Sequence, residues 1–195
     1  VTLPAHIVLA TGNLGKVVEL RALLESWGPL TVTSLAEHPG LKLPEETGAT
    51  YAENAAIKAC AVAVAVGMPA LADDSGIEVD ALGGAPGIRS ARWAPTDEER
   101  IATMLRALAS VSDRTARFHC AMALAWPDGR VEAAEGTCRG RIAVAPTGGG
   151  GFGYDPIFVS DELETTFAIA SADDKARVGH RGRAVRALEA RLRGA

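Results

Sequence analysis

Cysteine is scarce in this chain of 195 residues, and the three present sit at no diagnostic spacing. Cys60, Cys120 and Cys138 are odd in number and far apart, and no C-x-x-C pair occurs. That excludes a zinc knuckle and a dithiol redox pair, and it leaves no disulfide framework. Each cysteine is expected to be a small buried apolar residue, and a reducing cytoplasm is the expected compartment. Long apolar runs are missing too. The longest, around Ala59 to Val66, is far too short to span a bilayer. No basic region leads into a long apolar stretch near the N-terminus, so neither a membrane partner nor a signal peptide is expected. Positive charge is not in excess: the formal net charge is -4. Affinity for a nucleic-acid backbone grows with the number of phosphates neutralised, so nucleic acid is not an expected partner. A small phosphorylated ligand is different, because a local cationic pocket can exist within an acidic whole. H-E-x-x-H and G-x-S-x-G are absent, and nucleophilic acyl chemistry therefore has no support.

What is present reads as one folded domain over residues 1–195. Hydrophobic residues make up 48% and charged ones 23%, which is ordinary for a chain with a substantial core. A strand from about His6 to Ala10 runs through a turn into a helix, whose Val17, Leu20, Leu23, Leu24 and Trp27 recur at helical spacing before Gly28-Pro29. Leu30 to Ser34 completes a β-α-β opening. Thr50-x-x-Glu53 and Thr96-x-x-Glu99 are capping-box patterns, each opening a helix. Between them, the apolar run Pro69 to Ala72 delivers Asp73-Asp74 at its end, and Ile77 to Val79 is a further extended piece. Arg117 to Trp126 and Arg130 to Arg139 form a predicted hairpin about Pro127-Asp128-Gly129. A final helix is predicted from about Asp174 to Leu192. The fold class this implies is mixed α/β, with parallel and antiparallel pairings.

Four stretches carry polar chemistry that a core does not need. Thr11 to Lys16 reads T-G-N-L-G-K. A strand-to-helix turn presents unpaired backbone amides to an anion, and Lys16 lies one helical turn inside. The same residues also suit a plain helix cap beside a solvated lysine. Asp73-Asp74-Ser75-Gly76 places two acids side by side, which must solvate, pair with cations or hold a metal. Adjacent side chains of an extended segment point to opposite sides, so one of the two faces any given site. Glu45 or Glu46 can add a second carboxylate to a magnesium ion, which takes one or two carboxylates, several waters and substrate phosphates. In Gly151-Phe152-Gly153-Tyr154-Asp155-Pro156, two of the chain's six Phe and Tyr residues sit among glycines. That is a candidate base-stacking surface, although a lone Phe is ordinarily core. Lys175, His180 and Arg181 form a cationic trio able to donate hydrogen bonds to phosphate or keto oxygens.

With these four motifs in order, the chain resembles the inosine triphosphate pyrophosphatases, house-cleaning enzymes of the Ham/RdgB type. E-E-T-G at Glu45 to Gly48, E-N-A-x2-K-A at Glu53 to Ala59 and L-G-G-A-P-G-I at Leu82 to Ile88 extend the similarity from Ile7 to about Leu192. The resemblance implies an elongated, curved mixed sheet between two lobes with the nucleotide cleft between them. It also implies a homodimer, Mg²⁺ as cofactor, and cleavage of ITP, dITP and XTP to monophosphate and pyrophosphate. By position, Asp74 is implied as general base and metal ligand, and Glu45 as the other metal carboxylate. Thr11, Gly12, Asn13, Leu14, Gly15, Lys16, Ser75, Phe152, Gly153, Tyr154, Asp155, Lys175, His180 and Arg181 are implied as nucleotide contacts. Gly179 stands where the family commonly has Ser, which removes a hydroxyl next to the H-R pair. Two other readings fit the same residues: a Maf-type pyrophosphatase acting on other bases, and a protein that senses a triphosphate without cleaving it.

Overall fold

A computed structural model describes residues 3–194 of the chain. Six strands, β1 (His6–Leu9), β2 (Thr31–Ser34), β3 (Ala70–Val79), β4 (Thr115–Ala125), β5 (Val131–Ile142) and β6 (Phe158–Ser160), join in one sheet of order β2-β1-β3-β4-β5-β6. β1 runs parallel to both β2 and β3, while β5 and β6 are antiparallel. The mixed α/β class expected from the sequence is therefore what the fold shows. Burial explains the apolar run of β1: Ile7, Val8 and Leu9 are fully buried, as a strand flanked on both edges by parallel neighbours requires.

The helices are α1 (Leu14–Leu24), α2 (Tyr51–Val66), α3 (Asp97–Ala107), α4 (Ala172–Val178) and α5 (His180–Arg193). Contacts divide the chain into two compact units. The first holds the residues up to Asp74, Cys120–Gly136 and those from Arg181 onward. Its core gathers Leu9, Leu20, Leu24, Met122 and Leu188. The second holds Ser75–His119 and Thr137–His180, around Ile77, Met104, Phe118, Phe158 and Phe167.

Local chemistry accounts for the helix ends. Asn13 caps α1, its side chain accepting from Lys16 N, and Thr96 caps α3 in a complete capping box with Glu99. At α2 the box is only half formed. Thr50 accepts from Glu53 N, but the Glu53 carboxylate accepts from Ala49 N at 2.6 Å instead of from its capping residue.

Three other expectations change. Asp73 and Asp74 lie in the middle of one ten-residue strand, β3, and not in a turn between two shorter ones. The strand can continue through them because both carboxylates have polar partners inside the fold. The predicted last helix is two helices, broken at Gly179, whose φ of -69° and ψ of 154° are extended. A Cβ at this glycine would collide with the Lys175 carbonyl, which the Gly179 amide already uses as acceptor at 2.8 Å. Cys60 is half-buried, whereas Cys120 and Cys138 are buried as expected. β6, at three residues, is too short to show alternation in the sequence.

Candidate active site

β1 delivers the chain into the turn at Thr11. Thr11 Oγ1 accepts from Asn13 N at 3.2 Å, and Asn13 Oδ1 accepts from Lys16 N at 3.1 Å. Those two bonds shape the turn and leave its outer side open: a Cβ on Gly12 would meet nothing within 4 Å. Leu14 points its side chain into solvent at 78% exposure, so any part it and Gly15 take in ligand binding is through their amides at the start of α1.

Lys16 reaches back to the sheet, with Nζ 2.9 Å from Asp73 Oδ2. Arg181, buried at the start of α5, donates from Nε to the same oxygen at 3.2 Å and pairs through Nη1 with Glu19 of α1. Asp73 is completely buried. Burial alone would push its carboxyl up, but the charges of Lys16, Arg181 and Lys58 outweigh it and hold Asp73 well below the usual carboxylate range. Cys120 lies within reach of the same charges; burial, helped by Asp73, pushes its thiol up to about 12. It is therefore an inert thiol at neutral pH.

Asp74 looks the other way, as strand alternation demands. Two of its partners are on α2: Asn54 Nδ2 donates to Oδ2 at 3.1 Å, and Lys58 Nζ is 3.7 Å from Oδ1. Asn54 and Lys58 are four residues apart and share one face of the helix. Lys58 also donates to Glu46 Oε1 at 2.5 Å, and Asn54 Oδ1 accepts from Gly48 N at 2.8 Å. These two bonds tie the segment 45–48 to α2. Gly48 must be a glycine here, since a Cβ would stand 2.6 Å from Glu53 Cβ. Burial raises the Asp74 carboxyl above its ordinary value; Lys58 opposes the rise, Glu46 adds to it, and the Asn54 hydrogen bond opposes it. Glu45 is exposed. Of the two neighbouring glutamates, Glu46 is the one joined to Lys58.

The remaining candidates belong to the second unit. Asp155 is buried and accepts from Lys175 Nζ at 2.5 Å and from Phe152 N at 2.9 Å. Lys175 Nζ lies 5.0 Å from the Phe152 ring centroid, within cation–π range. A Cβ on Gly151 would run into the Asp155 carboxylate, so the loop needs a glycine there. Tyr154 is a core residue: it is buried, and its hydroxyl donates to Ser90 O at 3.0 Å. His180 is buried and stacks on Phe118, with centroids 4.6 Å apart and planes 14° from parallel. Ser75 is half-buried, next to Asp74 on β3. The cationic trio does not share one helix. Lys175 is on α4 with Asp155, while Arg181 opens α5 with Asp73 and Glu19.

Sequence reading passed over Asn54 and Glu19. Asn54 had a usable signal, one helical turn before Lys58 and facing the same side; Glu19 had none within its own segment. Among the described residues, no three His, Cys, Asp or Glu side chains gather as a metal cage, and no helix is long and apolar enough to cross a membrane.

Residues 7–191 match the sequence profile of the Ham1 family. The chain belongs to that family. A Gloeobacter violaceus protein named dITP/XTP pyrophosphatase is 52% identical over 182 residues, covering 93% of this chain and 91% of its own. A Thermus thermophilus protein of the same name is 50% identical, covering 93% and 89%. The solved structure of a HAM1 protein from Coxiella burnetii superposes with a TM-score of 0.85 at 41% identity, over 97% of this chain and 99% of that one. The Ham1 match thus spans all four motifs and both units.

Proposed function

We propose that this chain hydrolyses non-canonical purine nucleoside triphosphates, namely ITP, dITP and XTP, to the monophosphate and pyrophosphate, removing them from the nucleotide pool. It does so as a single catalytic domain over residues 1–195, as a cytoplasmic homodimer. The observation that carries the reading is the Asp73–Asp74 pair, with Lys16 and Arg181 on one carboxylate and Asn54 and Lys58 on the other. It supplies a base and lysines beside a turn of open amides. The names of the relatives supply the substrate class.

Asp74 acts as the base. It takes a proton from water, the water oxygen bonds to the α-phosphorus, and the bond to the bridging oxygen breaks to release pyrophosphate. Asn54 orients the Asp74 carboxylate. Lys16, with the amides of Thr11, Gly12, Asn13, Leu14 and Gly15, binds the triphosphate oxygens. Glu45 and Asp74 would hold Mg²⁺. The donor set fits, because two hard carboxylates without a protein cage are what this ion takes alongside water and phosphates. When bound, it neutralises charge on the leaving pyrophosphate.

On the base side, Phe152 stacks, the backbone of Gly153, Tyr154 and Asp155 shapes the loop, and Ser75 lines the approach. His180 and Lys175 donate toward the keto oxygen, with Arg181 anchoring the start of α5 beside His180. An adenine amino group would meet donor with donor, leaving a buried polar group unpaired at about 1–3 kcal/mol, or roughly one to two decades of discrimination. A pyrophosphate-release screen tests this: ITP, dITP and XTP should turn over far faster than ATP or GTP, with pyrophosphate as the first product. Equal turnover of ATP, preference for pyrimidines, or binding without cleavage would overturn it.

The pH profile supplies an independent check. A base must be unprotonated, so kcat/KM falls along an acid limb as pH drops through the Asp74 pKa. Lys58 lowers the Asp74 pKa and Glu46 raises it. Lys58→Met should therefore move the limb to higher pH and Glu46→Gln to lower pH. Movement of both limbs in the same direction would show that another group titrates.

A further inference from the structure

We propose that Asp97 is a positioning residue for the aromatic loop, holding the Phe152 ring in the orientation that meets the base. This rests on the assignment of Phe152 to base stacking given above. The loop from Gly148 to Gly153 is almost all glycine, a composition that leaves many backbone conformations open. The loop is pinned at Gly150, whose N donates to Ala168 O at 3.0 Å, but the stretch that carries the ring needs a restraint of its own. Phe152 and Gly153 border a cavity of about 480 Å³ that Ile101, Ala102 and Leu105 of α3 also line.

Two carboxylates restrain it. The Phe152 amide donates to Asp155 Oδ2 at 2.9 Å, a bond made within the loop. The next amide, Gly153 N, donates to Asp97 Oδ2 at 2.7 Å, from 56 residues away. The peptide planes on both sides of the Phe152 Cα are thereby fixed, and with them the direction of the Cα–Cβ bond from which the ring projects. Gly153 needs this tether, since its φ of +63° is a conformation that glycine visits without steric cost but does not by itself prefer. Asp97 is in turn oriented by Arg100, which pairs with its Oδ1 and is braced on Ala94 O at 2.9 Å and Pro95 O at 3.2 Å. The carboxylate that holds the loop is thus itself held.

Asp97 is also the first residue of α3, but the helix has its own cap in Thr96 and Glu99. Its side chain is 41% exposed, so substitution leaves the core intact. The test combines ITP kinetics with a fluorine label, 4-fluorophenylalanine at position 152, read by ¹⁹F NMR. Asp97→Ala should broaden or split the single fluorine resonance and raise KM by about 10–100-fold, the equivalent of one charge-assisted hydrogen bond. The kcat should stay within about twofold, because Asp97 touches no reacting atom. Asp97→Asn, whose carbonyl oxygen can still accept from Gly153, should restore both readouts most of the way. An unchanged fluorine signal in Asp97→Ala would overturn the positioning role, whatever the kinetics. A changed signal with unchanged KM would uphold the tether and overturn instead the assignment of Phe152 to the base.

Discussion

Asp74→Asn is expected to lower kcat by about 10²–10⁴-fold while leaving the protein folded. The substitution is nearly isosteric. An amide oxygen can still accept from Asn54 Nδ2, now 3.1 Å from the Asp74 carboxylate. Lys58 retains Glu46, its closer partner at 2.5 Å against 3.7 Å for Asp74. What disappears is the basic oxygen and its negative charge. Turnover of ITP at saturating Mg²⁺ measures the loss, and a thermal melt checks the fold. Turnover near the wild-type value would remove Asp74 from the role of base. A loss that tracks a collapsed melting transition would mean that its place in the packing, not its basicity, had been tested.

Much of this arrangement was legible in the sequence, for reasons that differ between elements. The turn at Thr11 to Lys16 was readable because strand, cap and helix are encoded locally, and Asn13 caps α1 accordingly. The opposite orientation of Asp73 and Asp74 followed from strand geometry alone, and Asn54 of α2 accordingly bonds Asp74 while Arg181 of α5 bonds Asp73. Long-range pairing was not readable. Nothing near Arg181 announces that its partners are Glu19, 162 residues away, and Asp73, 108 residues away. The break at Gly179 was missed because both flanking segments have good helical composition, and a single glycine costs a helix only about 1 kcal/mol relative to alanine. Tyr154 was hidden for another reason: its glycine-rich neighbours suggest a surface loop, whereas its hydroxyl has a buried acceptor in Ser90 O. Composition describes the loop; only the fold shows which of its two rings turns inward.

The ion network around Asp73 changes what substitution there should do. A strand neighbour of the base, pointing away from it, would ordinarily serve as a mild control. Here Asp73→Asn should instead destabilise the protein by about 3–5 kcal/mol, the cost of breaking a buried charge pair from one side. The carboxylate is fully buried, and its removal strips the common partner from Lys16 and from the buried Arg181. The sign of the pH dependence follows from the depressed pKa. A carboxylate whose folded pKa lies below its unfolded value of about 3.9 contributes its full stabilisation above that value, and loses it as pH falls through the folded pKa. Urea unfolding of wild type and Asp73→Asn should therefore show the full gap at neutral and mildly acidic pH, narrowing only below the ordinary carboxylate range. Arg181→Ala should cost a similar amount, since it leaves Asp73 and Glu19 facing each other without the guanidinium. The double variant should be less unstable than the sum of the two, because each substitution removes the group that the other would strand. Strict additivity, or a gap that closes already at pH 6, would show that the Lys16–Asp73–Arg181 contacts do not hold the first unit together. Any shift in the ITP-to-ATP ratio on Arg181→Ala would then have to come from a direct contact with the base.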